Sequence, residues 1–88
     1  MKILHIYYSD QFKKSVNKFI PKEKDLFARK LKLFREDPFS PQLKTHKLKG
    51  KLKNYWSFSL TYNLRVLFRF ESTDSVEFID AGTHEIYK

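Results

Sequence analysis

Eighty-eight residues with a formal charge of +8 and 17% aromatic side chains make one small basic domain, spanning 1–88, whose core must come from large rings. Cysteine is absent, which excludes a disulfide framework and a thiolate zinc site. No apolar run approaches membrane-span length, and the opening MKILHIYY is too short and too polar for a secretory leader, so a soluble cytoplasmic domain without membrane association is expected.

In chain order, Lys2 to Tyr8 is β-branched and aromatic enough for a first strand. Ser9 stands where a helix N-cap belongs, with Asp10 favourable in the first turn. Phe12, Val16, Phe19 and Ile20 then share one face of a short helix. Pro21 ends that helix and starts a second, which runs to about Asp37 and buries Phe27, Leu31 and Phe34, with Leu26 and Leu33 on the flank. Its exposed side carries Arg29, Lys30 and Arg35, and Pro38 stops it. The pair forms a helical hairpin.

After the loop DPFSP, Lys44 to Lys49 reads as a short strand and Gly50 as a turn or bulge. Trp56, Phe58, Leu60 and Tyr62 alternate with Ser57, Ser59 and Thr61. Beyond a turn near Asn63, Val66, Phe68 and Phe70 alternate with Arg65, Leu67 and Arg69. Period two gives this hairpin an apolar face for the helices and a polar face of serines and arginines. A last strand, Val76 to Ala81, precedes Gly82 and the tail THEIYK. The expectation is an α+β domain with a four- to five-stranded antiparallel sheet and the helical hairpin on one face.

Charge is distributed unevenly. No Asp or Glu occurs from Pro38 to Phe70, while Lys44, Lys47, Lys49, Lys51 and Lys53 crowd ten positions. Unpaired positive charge at this density points to a polyanion, and Lys44, Lys47, Lys49, Lys51, Lys53 and Arg69 are the expected RNA contacts. Arg65 and Arg69 fall on one face of their strand, and the planar guanidinium fork suits phosphate. Of three histidines, His5 reads as structural or surface. His46 sits inside the lysine run and His84 follows Gly82, three residues before Tyr87. Imidazole is the side chain best suited to proton transfer near neutrality. No metal-ligand spacing and no glycine-rich phosphate loop is present, so neither metal nor cofactor is expected.

The segments DPFSPQLKTHKLKGKLKNYWSFSLTYNLRVLF and DAGTHEIY resemble the RelE/YafQ-type toxins of bacterial type II toxin–antitoxin modules. The resemblance extends over almost the whole chain and implies a RelE-like fold. It also implies a ribosome-dependent endoribonuclease that cuts mRNA in the decoding site. There the ribose 2′-hydroxyl is the nucleophile, the product is a cyclic phosphate, and an acidic antitoxin keeps the enzyme silent. On that basis Arg65 stabilises charge on the scissile phosphate and His84 is an acid or base. Tyr87 is the aromatic residue near the C-terminus, and His46 matches a histidine of the YafQ-like branch. This chain departs from the family at several positions. Ser57 and Ser59 replace an Asp and a His of YafQ-like members, and Asn63 replaces an Asp. Trp56 and Phe58 replace lysines of RelE-like members, and Gln42 is the nearest counterpart of the YoeB-like glutamate. The base and the acid stay unassigned at this point. Two other readings are a gyrase-poisoning toxin of the ParE-like branch and a binding module of the same fold that has lost catalysis.

Overall fold

The computed structural model describes residues 1–87, and at 84 and 85 the backbone alone. The elements are β1 (His5–Tyr8), α1 (Asp10–Asn17), α2 (Pro21–Glu36), β2 (His46–Lys47), β3 (Trp56–Ser59), β4 (Arg65–Phe70) and β5 (Ser75–Gly82). They form one five-stranded sheet in the order β1-β5-β4-β3-β2. The domain is α+β, as expected, with one refinement: β1 runs parallel to β5, and the other pairs are antiparallel. Among the described residues no helix is long and apolar enough to cross a membrane.

Local chemistry sets the helix ends. Ser9 is extended, and its Oγ accepts a hydrogen bond from the Phe12 N–H at 3.0 Å, capping α1. The same hydroxyl donates to the Ile79 carbonyl at 2.6 Å, tying the cap to β5. It meets β5 where the register shifts by one residue, since Leu67 pairs with Asp80 but Phe68 with Phe78. Pro21 is the first residue of α2, and the Glu23 carboxylate accepts from the Ile20 N–H at 3.0 Å. Ile20 therefore belongs to the start of α2 rather than to the face of α1, and it is exposed while Phe12 and Phe19 are buried.

Phe34 of α2 organises the core. It is fully buried, and its ring centroid lies 4.9 Å from Phe58, 5.1 Å from Phe68 and 5.3 Å from Phe78. One side chain thus grips the three central strands. A buried phenylalanine is worth roughly 3–5 kcal/mol against alanine, a large share of a small domain's margin. Phe58, Val66 and Phe68 are buried beneath the helices, so the expected strand register holds. Phe27 and Leu31 are half-buried at the margin of this cluster. Trp56 is also half-buried, packed edge-on to Phe39 and Phe70.

Three expectations need correction. The polar face of the β3–β4 hairpin is not solvated: Ser57, Ser59 and Leu67 are buried. The chain turns back after Gly82, and the Tyr87 hydroxyl meets Ser57 Oγ at 2.5 Å. A Cβ at Gly82 would lie 2.9 Å from Ile86 Cγ2, so a glycine is what lets that turn close. Second, the strand expected at Lys44 to Lys49 shrinks to His46–Lys47, because Lys44 takes a left-handed conformation and Gly50 (φ 70°) opens a 3-10 turn. Third, Tyr62 is 82% exposed, because β3 ends at Ser59 and the alternation does not extend into the turn.

Candidate functional site

The segment joining α2 to β2 is held at several points. Pro38 and Leu43 are fully buried, and the Thr45 hydroxyl donates to the Pro38 carbonyl at 2.5 Å. Asp37 caps the same loop by accepting from the Phe39 N–H at 2.9 Å. Between these anchors Pro41–Leu43 form a 3-10 turn, and Lys44 follows at φ 52°, ψ 39°. A left-handed backbone costs a non-glycine residue about 1–2 kcal/mol, so the surroundings impose it. The consequence is a lysine displayed at a fixed place on a braced loop.

Beside that loop lies a concavity of about 380 Å³. Helix α2 contributes Lys30, the braced loop Gln42 and Lys44, and β2 contributes His46. Ser59 to Tyr62 form the opposite wall, and Arg65 of β4 completes it. Among the described residues no carboxylate lines this space, so three permanent cations face it together with an imidazole. Low-dielectric walls around charges of one sign concentrate the field and draw anions in.

Arg65 is half-buried and its Nη2 donates to the Tyr62 carbonyl at 3.3 Å. That hydrogen bond positions the guanidinium without neutralising it. Arg65 Nε is buried and, among the described residues, has no hydrogen-bond partner. An unpaired buried donor costs about 1–3 kcal/mol, and an anionic oxygen would relieve it. His46 is exposed, with Nδ1 3.1 Å from the Lys44 carbonyl. A carbonyl only accepts, so Nδ1 holds the proton and, in the neutral ring, Nε2 keeps its lone pair. Lys30 Nζ donates to the Gln42 carbonyl at 3.4 Å, reaching from α2 to the braced loop.

The residues singled out from the sequence are distributed unevenly. Lys44, His46 and Arg65 come together in the concavity. Lys47, Lys49, Lys51 and Lys53 are exposed along the β2 edge and the turn that follows, outside it. Arg69 lies elsewhere: its Nη2 is 3.2 Å from Glu71 and 3.0 Å from Glu77, while its Nε donates to Glu77 at 3.1 Å. Tyr87 is bonded to Ser57, the residue that pairs with His46 across β2 and β3. The His84 side chain lies outside the described residues. Its backbone begins the final turn, two residues past Gly82, the partner of Arg65 in the sheet.

Sequence reasoning missed Lys30 and Tyr62 as parts of one site. Lys30 had a usable signal, since it stands one helical turn before the buried Phe34 and so flanks the apolar stripe. Tyr62 had none beyond its place beside the expected turn at Asn63.

No protein-family model and no curated protein matches the chain, whereas solved structures do. A YoeB/ParE toxin from Agrobacterium tumefaciens superposes with a TM-score of 0.78 at 19% identity, covering 92% of this chain and 99% of that one. The E. coli DinJ-YafQ toxin-antitoxin complex contains a chain matching at TM-score 0.76 and 19% identity, covering 98% of this chain and 97% of that one. The chain shares the fold of these toxins. A metal-bound toxin from Helicobacter pylori also shares this fold, with a TM-score of 0.71, 26% identity and coverage of 98% and 100%. In the present chain, no three His, Cys, Asp or Glu residues gather as a metal site among the described residues. On this scaffold the concavity occupies the end of the sheet where the braced loop enters β2, between Lys30 of α2 and Arg65 of β4.

Proposed function

We propose that the protein is the toxin of a type II toxin–antitoxin pair and cleaves mRNA held in the ribosomal decoding site by transesterification. The observation that carries this reading is the concavity in which, among the described residues, no carboxylate is present and Arg65 Nε has no partner, with the His46 imidazole alongside. In this reading His46 removes the ribose 2′-OH proton, and the 2′-oxygen attacks the adjacent phosphorus. Arg65 and Lys44 hold the charge that grows on the non-bridging oxygens. The P–O5′ bond breaks, leaving a 2′,3′-cyclic phosphate and a 5′-hydroxyl. In the same reading His84, three residues before Tyr87 in the chain, returns the proton to the leaving oxygen. The exposed lysines 47, 49, 51 and 53 hold the ribosome and message through their phosphates. An acidic antitoxin that covers the concavity would silence it, as befits a chain of charge +8.

A binding module without catalysis is the second reading. It draws on the buried Ser57 and Ser59, which supply no acid or base where YafQ-like relatives carry them. Programmed ribosomes separate the two. Primer extension should show cleavage within the decoding-site codon with wild type, reduced about 10²–10⁴-fold by His46→Gln. A folded wild-type protein that leaves the message intact would sink the nuclease reading.

A further inference from the structure

Tyr62 is the most exposed of the large apolar side chains, at 82%, yet it stands on a tightly bonded turn. The Leu64 carbonyl accepts from the Leu60 N–H at 2.8 Å and from the Thr61 N–H at 3.1 Å. Thr61 Oγ1 in turn accepts from the N–H groups of Asn63 at 3.2 Å and Leu64 at 3.0 Å. Leu60 and Leu64, on either side, are buried and anchor the turn to the core. An aromatic ring therefore stands in solvent on a rigid base, contributing little to the core.

Its location gives that exposure a purpose. Tyr62 lines the cationic concavity, and its carbonyl receives the Arg65 Nη2 hydrogen bond at 3.3 Å. Tyr62 thus stands next to the residue whose guanidinium Nε, among the described residues, lacks a partner. A phosphate-binding cation with an aromatic face at its side is the arrangement that single-stranded nucleic acid uses, since each nucleotide offers an anion and a flat base together. An acidic peptide would match the cations but would leave the ring without a stacking partner.

We infer that Tyr62 is a nucleobase-stacking residue that places a base of single-stranded RNA while the neighbouring phosphate sits at Arg65. The inference rests on the RNA reading of the site. Stacking is tolerant of base identity, so Tyr62 sets position and register rather than sequence preference.

The test uses the full chain, a labelled single-stranded RNA oligomer, and an oligomer of equal length with the same sugar–phosphate backbone but no bases. Wild type should bind the RNA more tightly than the abasic oligomer. Tyr62→Ala should weaken RNA binding about five- to a hundredfold and leave the abasic oligomer unaffected. Tyr62→Phe should restore RNA binding, because the ring and not the hydroxyl stacks. Equal loss on both oligomers, no loss on RNA, or a wild type that does not distinguish the two overturns the inference. Cleavage on ribosomes is a separate measurement. If it is absent while the oligomer pattern holds, the nuclease reading fails and stacking stands. If it is present while the oligomer pattern fails, the reverse is true.

Discussion

Arg65 and Arg69 occupy the same strand and point to the same side of the sheet, yet they live in opposite electrostatic worlds. Arg69 is clasped by Glu71 and Glu77, the second of which faces it directly across β4 and β5. Arg65 pairs across the same two strands with Gly82, which has no side chain to offer, and across β3 and β4 with Ser59. Among the described residues no carboxylate pairs with it, so there its charge stays intact. The identity of a cation says little about its function, because the side chains opposite it in the sheet decide whether its charge is spent.

That contrast can be broken experimentally, beginning where the effect is greatest. Arg65→Ala is expected to lower cleavage on programmed ribosomes by roughly 10²–10³-fold, as removal of one oxyanion-stabilising donor does. Arg69→Ala should stay within about threefold of wild type, since exposed ion pairs contribute about 0–1 kcal/mol. Comparable losses in two folded variants, verified by circular dichroism, would erase the distinction between the two ends of β4.

A smaller effect should come from the lysines that border the concavity without lining it. Lys47, Lys49 and Lys51, all replaced by Glu, are exposed and should leave the melting temperature nearly unchanged. RNA affinity should drop by more than about tenfold at low salt, and the slope of log K against log salt should flatten by about 0.7 for each phosphate no longer neutralised. An unchanged slope would remove this edge from the binding surface.

The smallest effect would sharpen the comparison by converting Arg69 into a second Arg65. Glu71→Gln together with Glu77→Gln releases its guanidinium, at a stability cost below about 1 kcal/mol. Titration with RNA at several salt concentrations should then show a slope steeper by about 0.7, the signature of one additional neutralised phosphate. No change would mean that Arg69 is out of reach of the bound strand even when free.

Much of the fold was legible because its determinants are local. The Ser9 cap, the start of α2 at Pro21 and its end before Pro38 follow from side chains acting within a few residues. The alternation of Phe58, Val66 and Phe68 places them under the helices by period alone. The left-handed Lys44 was not legible, since nothing in LKTHK demands it; the buried Leu43 on one side and the Thr45–Pro38 bond on the other impose it. Nor did Ser57 of β3 reveal its burial, where the final turn brings the Tyr87 hydroxyl back onto it.

What the sequence by itself determined was the sign and density of charge between Pro38 and Phe70, and the apolar faces of the helices and of the β3–β4 hairpin. Both are sums over neighbouring residues, so order along the chain suffices to predict them. Only the tertiary structure decided which cations share a cavity. Lys30, Lys44 and Arg65 come from a helix, a loop and a strand, and Glu77 reaches Arg69 only through the pairing of β4 with β5. Coulomb interactions depend on distance through space, and in a folded chain that distance is set by strand pairing and packing rather than by separation in sequence.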